Sequence, residues 1–284
     1  GLMLNKSRIL TLVLPDLHGQ FYSEVIRGAN LRARELGYQL LLSSVTQDDD
    51  EQVVISAIRG NTLADGVAVM ITDMASTIKD SLDHVKVPLV VIDGDPGARA
   101  IMKHLMSSSE IRRILFVGGP ATNIDSKERF KAYRDSLQMA GIEPGSRDVY
   151  HLDFQFDTAY QLAIENLDDW VGPQTCVFAA NDEMAAGIIQ AAHAKRIRIP
   201  HDLRVVGFDD IRISQLMQPR LTTVRVPLSE MGAAAVELLC QRLESPDRPS
   251  TRIALQSELV VRDSCGVTPA KNTKSRPNSP PQAG

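Results

Sequence analysis

The chain has 284 residues, a formal net charge of −4 and a pI of 5.9. That length suits one large or two modest domains, and 43% hydrophobic against 23% charged residues is the balance of a globular protein, not of a disordered chain. An acidic chain is a poor DNA ligand by itself, because nucleic-acid affinity rests on neutralising phosphates with Lys and Arg.

No apolar run approaches the ~20 residues of a membrane span. Gly1-Leu2-Met3 leads straight into structured sequence with no secretory apolar region, so a cytoplasmic protein with no membrane partner is expected. Cys176, Cys240 and Cys265 lack metal-ligand spacing and read as reduced packing residues.

In chain order, residues 9–14 form an apolar strand, and the loop 17–20 leads into a helix starting near Phe21 or Tyr22. Val25, Ala29, Ala33 and Leu36 give that helix a buried stripe, and Gly37 ends it. Residues 39–44 are the next strand. The acidic stretch 47–52 reads as a solvated helix start with carboxylates at the positive dipole end. A helix over 53–59, a strand over 66–71, a helix through Leu82 and a strand over 88–92 complete a β-α-β-α-β-α-β series, the doubly wound pattern.

Asp95-Pro96-Gly97 then runs directly into a helical pattern over 98–106. A second series follows: strand 113–117, the turn Gly118-Gly119-Pro120, helix 126–140, strand 149–152 and helix 158–167. Trp170, beside Asp168-Asp169 at that helix's end, reads as surface packing. Residues 221–225 cross back, 229–243 are helical and 258–262 form a final strand. From Val267 the sequence TPAKNTKSRPNSPPQAG has the composition of a disordered, solvated tail, with Lys271, Lys274 and Arg276 as its basic residues.

The organising stretch is 175–239. Residues 176–179 have the length of a buried strand, Asn181-Asp182 supplies acceptors where a helix should start, and Ala185, Ile188, Ile189 and Ala192 recur at helical spacing. Residues 205–208 are a second apolar run ending in Asp209-Asp210. Strand, helix and strand in this order make parallel neighbours, and both strands deliver polar residues at the edge where open parallel sheets bind ligands.

AANDEMAAGI, IPHDLRVVGFDDI and PRLTTVRVPLSEMGAAAVELL, in this order and spacing, resemble the effector-binding core of LacI-family bacterial repressors. The resemblance extends back to LVLPDLHGQFYSEVIRGA and covers residues 9–263. It implies an α/β fold of two doubly wound parallel-sheet lobes joined by three crossovers, like a type I periplasmic binding protein. The lobes are expected at 7–110 plus 227–248 and at 111–224 plus 251–265, with the tail at 267–284 and crossovers near 107–111, 223–227 and 246–253. The family carries a further strand and loop, roughly fifteen to twenty residues by usual lengths, where Asp95 meets Ala98.

Facing strand ends across a cleft would collect Phe21, Tyr22, Thr72 and Asp93 from one lobe. The other would bring Phe154, Asn181, Asp209 and the loop after Pro120. Aromatic faces pack on a ring, while carboxylates and amides bind hydroxyls. The resemblance places Phe21 and Tyr22 at an aromatic pair of the purine repressor, though one of the two reads as core. Phe154 stands at an aromatic position of the lac and purine repressors, and Asn181 and Asp209 at sugar-binding positions of the lac repressor. Asn123 replaces an arginine of the purine repressor and Lys127 one of the lac repressor, which leaves Arg129 as candidate cation. Val226 replaces a frequent hinge Gln. Local alternatives are a helix cap for Asn181, a turn cap for Asp209 and a solvated lysine for Lys127.

The expected function is a ligand-responsive transcriptional regulator: a small effector, a sugar or sugar derivative or else a nucleobase, changes the operator DNA affinity of a homodimer. The family's helix-turn-helix and hinge helix precede the segment starting near Arg8; only seven residues precede it here, so DNA reading is expected from a longer chain. A periplasmic sugar-binding protein for transport shares the fold and is the alternative. With no G-x-S-x-G, P-loop or H-E-x-x-H, neither an enzyme nor a cofactor is expected.

Overall fold

Two parallel sheets carry the chain. The computed structural model describes residues 7–15, 17, 19–44, 64–70, 89–92, 97–245 and 256–267. The first sheet runs β2-β1-β3-β4, with β1 Ile9–Leu14, β2 Gln39–Ser44, β3 Gly66–Met70 and β4 Leu89–Ile92. The second runs β6-β5-β7-β8, with β5 Arg113–Gly118, β6 Val149–His151, β7 Thr175–Ala179 and β8 Arg204–Val206. All pairings within these sheets are parallel. Their central strands β1, β3, β5 and β7 are nearly continuous apolar runs because both faces are covered. The α/β, doubly wound expectation therefore holds in each sheet.

Helices fill the connections: α1 Gly19–Glu35, α2 Ala98–Met106, α3 Ile124–Met139, α4 Phe156–Trp170, α5 Asp182–Ala194, the short α6 Ile213–Leu216 and α7 Leu228–Glu244. After the second sheet the chain returns to the first, where α7 lies on α1. This approach is close because glycines face backbone on both sides. Gly28 lies against the Ser229 carbonyl and Gly232 against the Val25 carbonyl, and a Cβ at either position would overlap those atoms. Arg32 Nε donates to Glu237 Oε2 at 2.6 Å beside the seam.

β9 Thr223–Arg225 and β10 Glu258–Val260 pair antiparallel as a separate ribbon, with Glu258 opposite Arg225. It is stitched to the end of β8: the Asp209 amide donates to the Val224 carbonyl at 2.8 Å and the Gly207 amide to that of Thr222 at 2.9 Å. Helix α2 packs on α3 and on this ribbon. Its His104 Nε2 lies 3.5 Å from Cys265 Sγ, and Gly97 ahead of it abuts Val224 and Phe208. The three cysteines are free and buried.

Three expectations are corrected. Trp170 is fully buried, because α4 runs on to include it and sets Ala159, Ala163, Leu167 and Trp170 on one inward stripe. Its ring meets Tyr150 edge-on at 5.5 Å. Helix α1 starts at Gly19, whose φ of +81° turns the chain into the helix ahead of Phe21. Neither Phe21 nor Tyr22 is a fully buried core residue: both are half-buried against the core, edge to face at 5.1 Å. The acidic stretch 47–52, the expected helices over 53–59 and through Leu82, Thr72, Asp93, the 246–253 crossover and residues 268–284 lie outside the described residues.

Candidate functional site

The order β6-β5-β7-β8 reverses direction of growth between β5 and β7, and the crevice beyond their C-terminal ends is the usual ligand position of such sheets. Four chain segments meet there: the Gly119-Pro120 turn, Phe154 after β6, Asn181 after β7 and Phe208-Asp209 after β8.

Asn181 begins α5. Its Oδ1 accepts from the Met184 amide at 2.9 Å, which caps the helix, and its Nδ2 donates to the Phe154 carbonyl at 2.9 Å. Both ends of the amide are thus occupied within the protein. Phe154 has a φ of +68°, an unusual conformation for a non-glycine residue, and its ring fills the space above Gly119 that a side chain there would take. The Asn181 bond supports this backbone, so Asn181 positions the aromatic face.

Arg129 and Asp209 come together in the interior. Arg129 is 7% exposed and Asp209 5%. Arg129 Nη1 donates to the Ala180 carbonyl at 2.5 Å, Nη2 to Asp209 Oδ1 at 3.4 Å, and the guanidinium lies 3.9 Å over the Phe208 ring. Charge is balanced locally, as burial demands. Asp209 has a φ of +107°, because its amide and carbonyl bond Val224 and Val226 on either side of it.

The other candidates separate from this group. Asn123 is buried and caps α3 by accepting from the Ser126 amide at 3.0 Å. Lys127 is exposed on the same helix. Phe21 and Tyr22 belong to the first turn of α1, on the other sheet.

Sequence reasoning did not anticipate the network behind the site. Asp210 accepts from Arg262 Nη2 at 2.5 Å, Arg225 Nε at 2.8 Å and Ser214 Oγ at 2.8 Å, which ties β9 and the residues after β10 to the end of β8. Asp182 is fully buried: Oδ1 accepts from Thr223 Oγ1 at 2.6 Å and Oδ2 from the Ile211 amide at 2.9 Å. Burial, and next the negative charge of Asp209, push its pKa well above the usual carboxylate range. The polar pairs Asn181-Asp182 and Asp209-Asp210 at the two strand ends were the trace of this in the sequence.

Residues 102–265 match the periplasmic binding protein-like domain family. Over 278 residues the chain is 26% identical to the HTH-type transcriptional repressor PurR of Vibrio vulnificus (strain CMCP6), covering 93% of this chain and 83% of that protein. It is 27% identical over 280 residues to the ribose operon repressor of Escherichia coli (strain K12), covering 93% and 84%. The chain belongs to the LacI family of transcriptional regulators. A solved complex of the transcriptional regulator CelR with cellobiose superposes with a TM-score of 0.77 at 26% identity, covering 91% of this chain and 85% of that one.

This LacI-family chain is an effector-binding core, and its function is ligand-responsive regulation of transcription. The lac repressor, solved as a dimer bound to operator and an anti-inducer, shares this fold with a TM-score of 0.78 at 20% identity, covering 92% of this chain and 95% of that one. The relatives are DNA-binding regulators, which gives the transport alternative no support. Among the described residues no helix is long and apolar enough to cross a membrane.

Proposed function

We propose that the crevice beyond β5, β7 and β8 binds a neutral, hydroxyl-bearing ring, a sugar or sugar derivative, and that its occupancy changes the operator affinity of a homodimer. The observation that carries this reading is the buried Arg129–Asp209 pair. Arg129 is already matched by a carboxylate, a carbonyl and an aromatic ring, so it is not a spare positive charge for an anionic effector. Asp209 is the hydroxyl acceptor in this reading, and Phe154, Phe21 and Tyr22 are the flat apolar surfaces a sugar ring packs on. Asn181 acts through Phe154, and Asn123 through the first turn of α3. Thr72 and Asp93, expected at strand ends of the first lobe, complete the set of ligand contacts in this reading. The cellobiose bound by CelR supports a neutral sugar, as does the ribose operon repressor's name.

The moving bodies in this proposal are the lobes 7–110 plus 227–248 and 111–224 plus 251–265, with one change: α2, packed on α3 and on the ribbon, moves with the second lobe. Operator DNA is read by a helix-turn-helix attached ahead of the first lobe, so lobe rotation alters the spacing of two DNA-binding heads. A thermal-shift screen tests the ligand class. Neutral mono- and disaccharides are expected to stabilise the protein, by about 2.7 kcal/mol at a hundred times Kd. Stabilisation by sugar phosphates or nucleobases with no response to neutral sugars contradicts the reading.

A further inference from the structure

The two lobes meet at one place that neither the effector reading nor the hinge ribbon requires. At the start of α1 the Gln20 amide donates to Glu183 Oε1, in the first turn of α5, at 3.3 Å. In return Gln20 Oε1 accepts from the Ile213 amide, at the start of α6, also at 3.3 Å. Gly19 makes room for this approach: a Cβ on it would stand 3.1 Å from Glu183 Oε1, and its φ of +81° already excludes most side chains.

The chemistry of helix ends gives this arrangement a purpose. The first N–H groups of a helix have no partner inside it and must find an acceptor or water. Here each lobe supplies the acceptor for the other's helix start: Glu183 serves α1 and Gln20 serves α6. The Glu183 carboxylate also sits at the positive ends of two long helices, α1 and its own α5. When the lobes separate, both bonds break together and both amides return to water.

We propose that Gln20 and Glu183 form a reciprocal capping latch that holds the lobes together without ligand and sets the open-to-closed ratio an effector has to shift. Its consequence for regulation rests on the effector reading above, but the latch itself is tested on ligand-free protein, so either can fail alone.

The test is site-resolved amide hydrogen exchange by NMR on the ligand-free 284-residue chain and on two variants, Glu183→Ala and Gln20→Ala. Glu183→Ala removes the acceptor of the amide at 20 only. A latch that opens as a unit exposes Ile213 as well, although Gln20 Oε1 is still present. Roughly tenfold faster exchange is expected at both amides in both variants, with the double variant no faster than either single one, given the worth of a hydrogen bond to a charged group. If each substitution speeds only the amide whose own acceptor it removed, or speeds neither, the latch is refuted. Should either alanine variant fail to fold, Glu183→Gln keeps an amide oxygen in place and must show the same two-site acceleration to a smaller degree; acceleration at one site or none refutes the proposal equally.

Discussion

The two lobes are built from the same sheet order but are held together differently. Among the described residues of the first sheet and its helices α1 and α7, the only buried polar side chain is that of Thr11 on β1; the rest is apolar packing and the glycine seam of Gly28 and Gly232. The second lobe buries Arg129, Asp182, Asp209, Ser214, Thr222 and Thr223 as well. Buried charge contributes little net stability even when paired. The buried Arg129–Asp209 pair beyond the C-terminal ends of β7 and β8 therefore points to a function of shape and recognition there, whereas the first lobe reads as a rigid support.

Substitutions that break one lobe's device and spare the other's sharpen this contrast. The largest effect is expected from Arg129→Met, which leaves Asp209 buried without its guanidinium and should cost about 4 kcal/mol in urea denaturation. Arg129→Met with Asp209→Leu should recover a large part of that loss, since removing both charges is far less costly than removing one. Next is Gly28→Ala. Its methyl group would collide with the Ser229 carbonyl, so α1 and α7 must separate, at about 3 kcal/mol. This variant should leave the second lobe's amide protection unchanged.

Asn181 distinguishes structure from recognition. Asn181→Ala loses the cap of α5 and should destabilise by about 1 kcal/mol. Asn181→Asp retains an acceptor for the Met184 amide but has no donor for the Phe154 carbonyl. It should melt near the wild type and yet bind the stabilising sugar more weakly in calorimetry. Equal affinity would show that Phe154 holds its position without help.

The smallest effect is a pH slope. The Asp182 carboxyl is held protonated above its usual range by burial, so the stability contributed by its neutral form is complete below pH ~3.9 and declines as pH rises towards the raised folded value. Asp182→Asn shifts stability by a constant amount and removes that slope. The difference between wild type and variant should therefore move against the wild type as pH is raised from about 4. Asp202 does not confuse the measurement. Its hydrogen bond to Arg198 lowers its pKa to about 2, so its contribution is full above the unfolded value of ~3.9, is lost as pH falls from there through about 2, and is the same in wild type and variant.

Much of this architecture was legible in the sequence because buried parallel strands leave unmistakable apolar runs, as in β1 and β7, and because helix starts are chemically marked. The α5 cap at Asn181 was readable in that way. Pairings across long separations were not. Arg129 meets Asp209 across 80 residues and Gln20 meets Glu183 across 163, and no local pattern encodes such partners. The burial of Trp170 was misread for a related reason: flanking aspartates suggested a solvated end, but the helical period from Ala159 carries the ring inward. Nor does a spacing rule disclose that Asn181 spends its amide on Phe154, since the backbone at 154 adopts a conformation seldom seen outside glycine.

The central claim is that occupancy of the second-lobe crevice governs DNA binding. Its most direct test is operator affinity at constant salt, with and without the sugar that stabilises the protein, for the chain fused to a LacI-family helix-turn-helix and for the same fusion with Asp209→Ala. The account predicts a change of about five- to 150-fold in operator affinity on adding sugar, and no such response in the variant, which still binds operator. A sugar that binds tightly while operator affinity stays flat would contradict it.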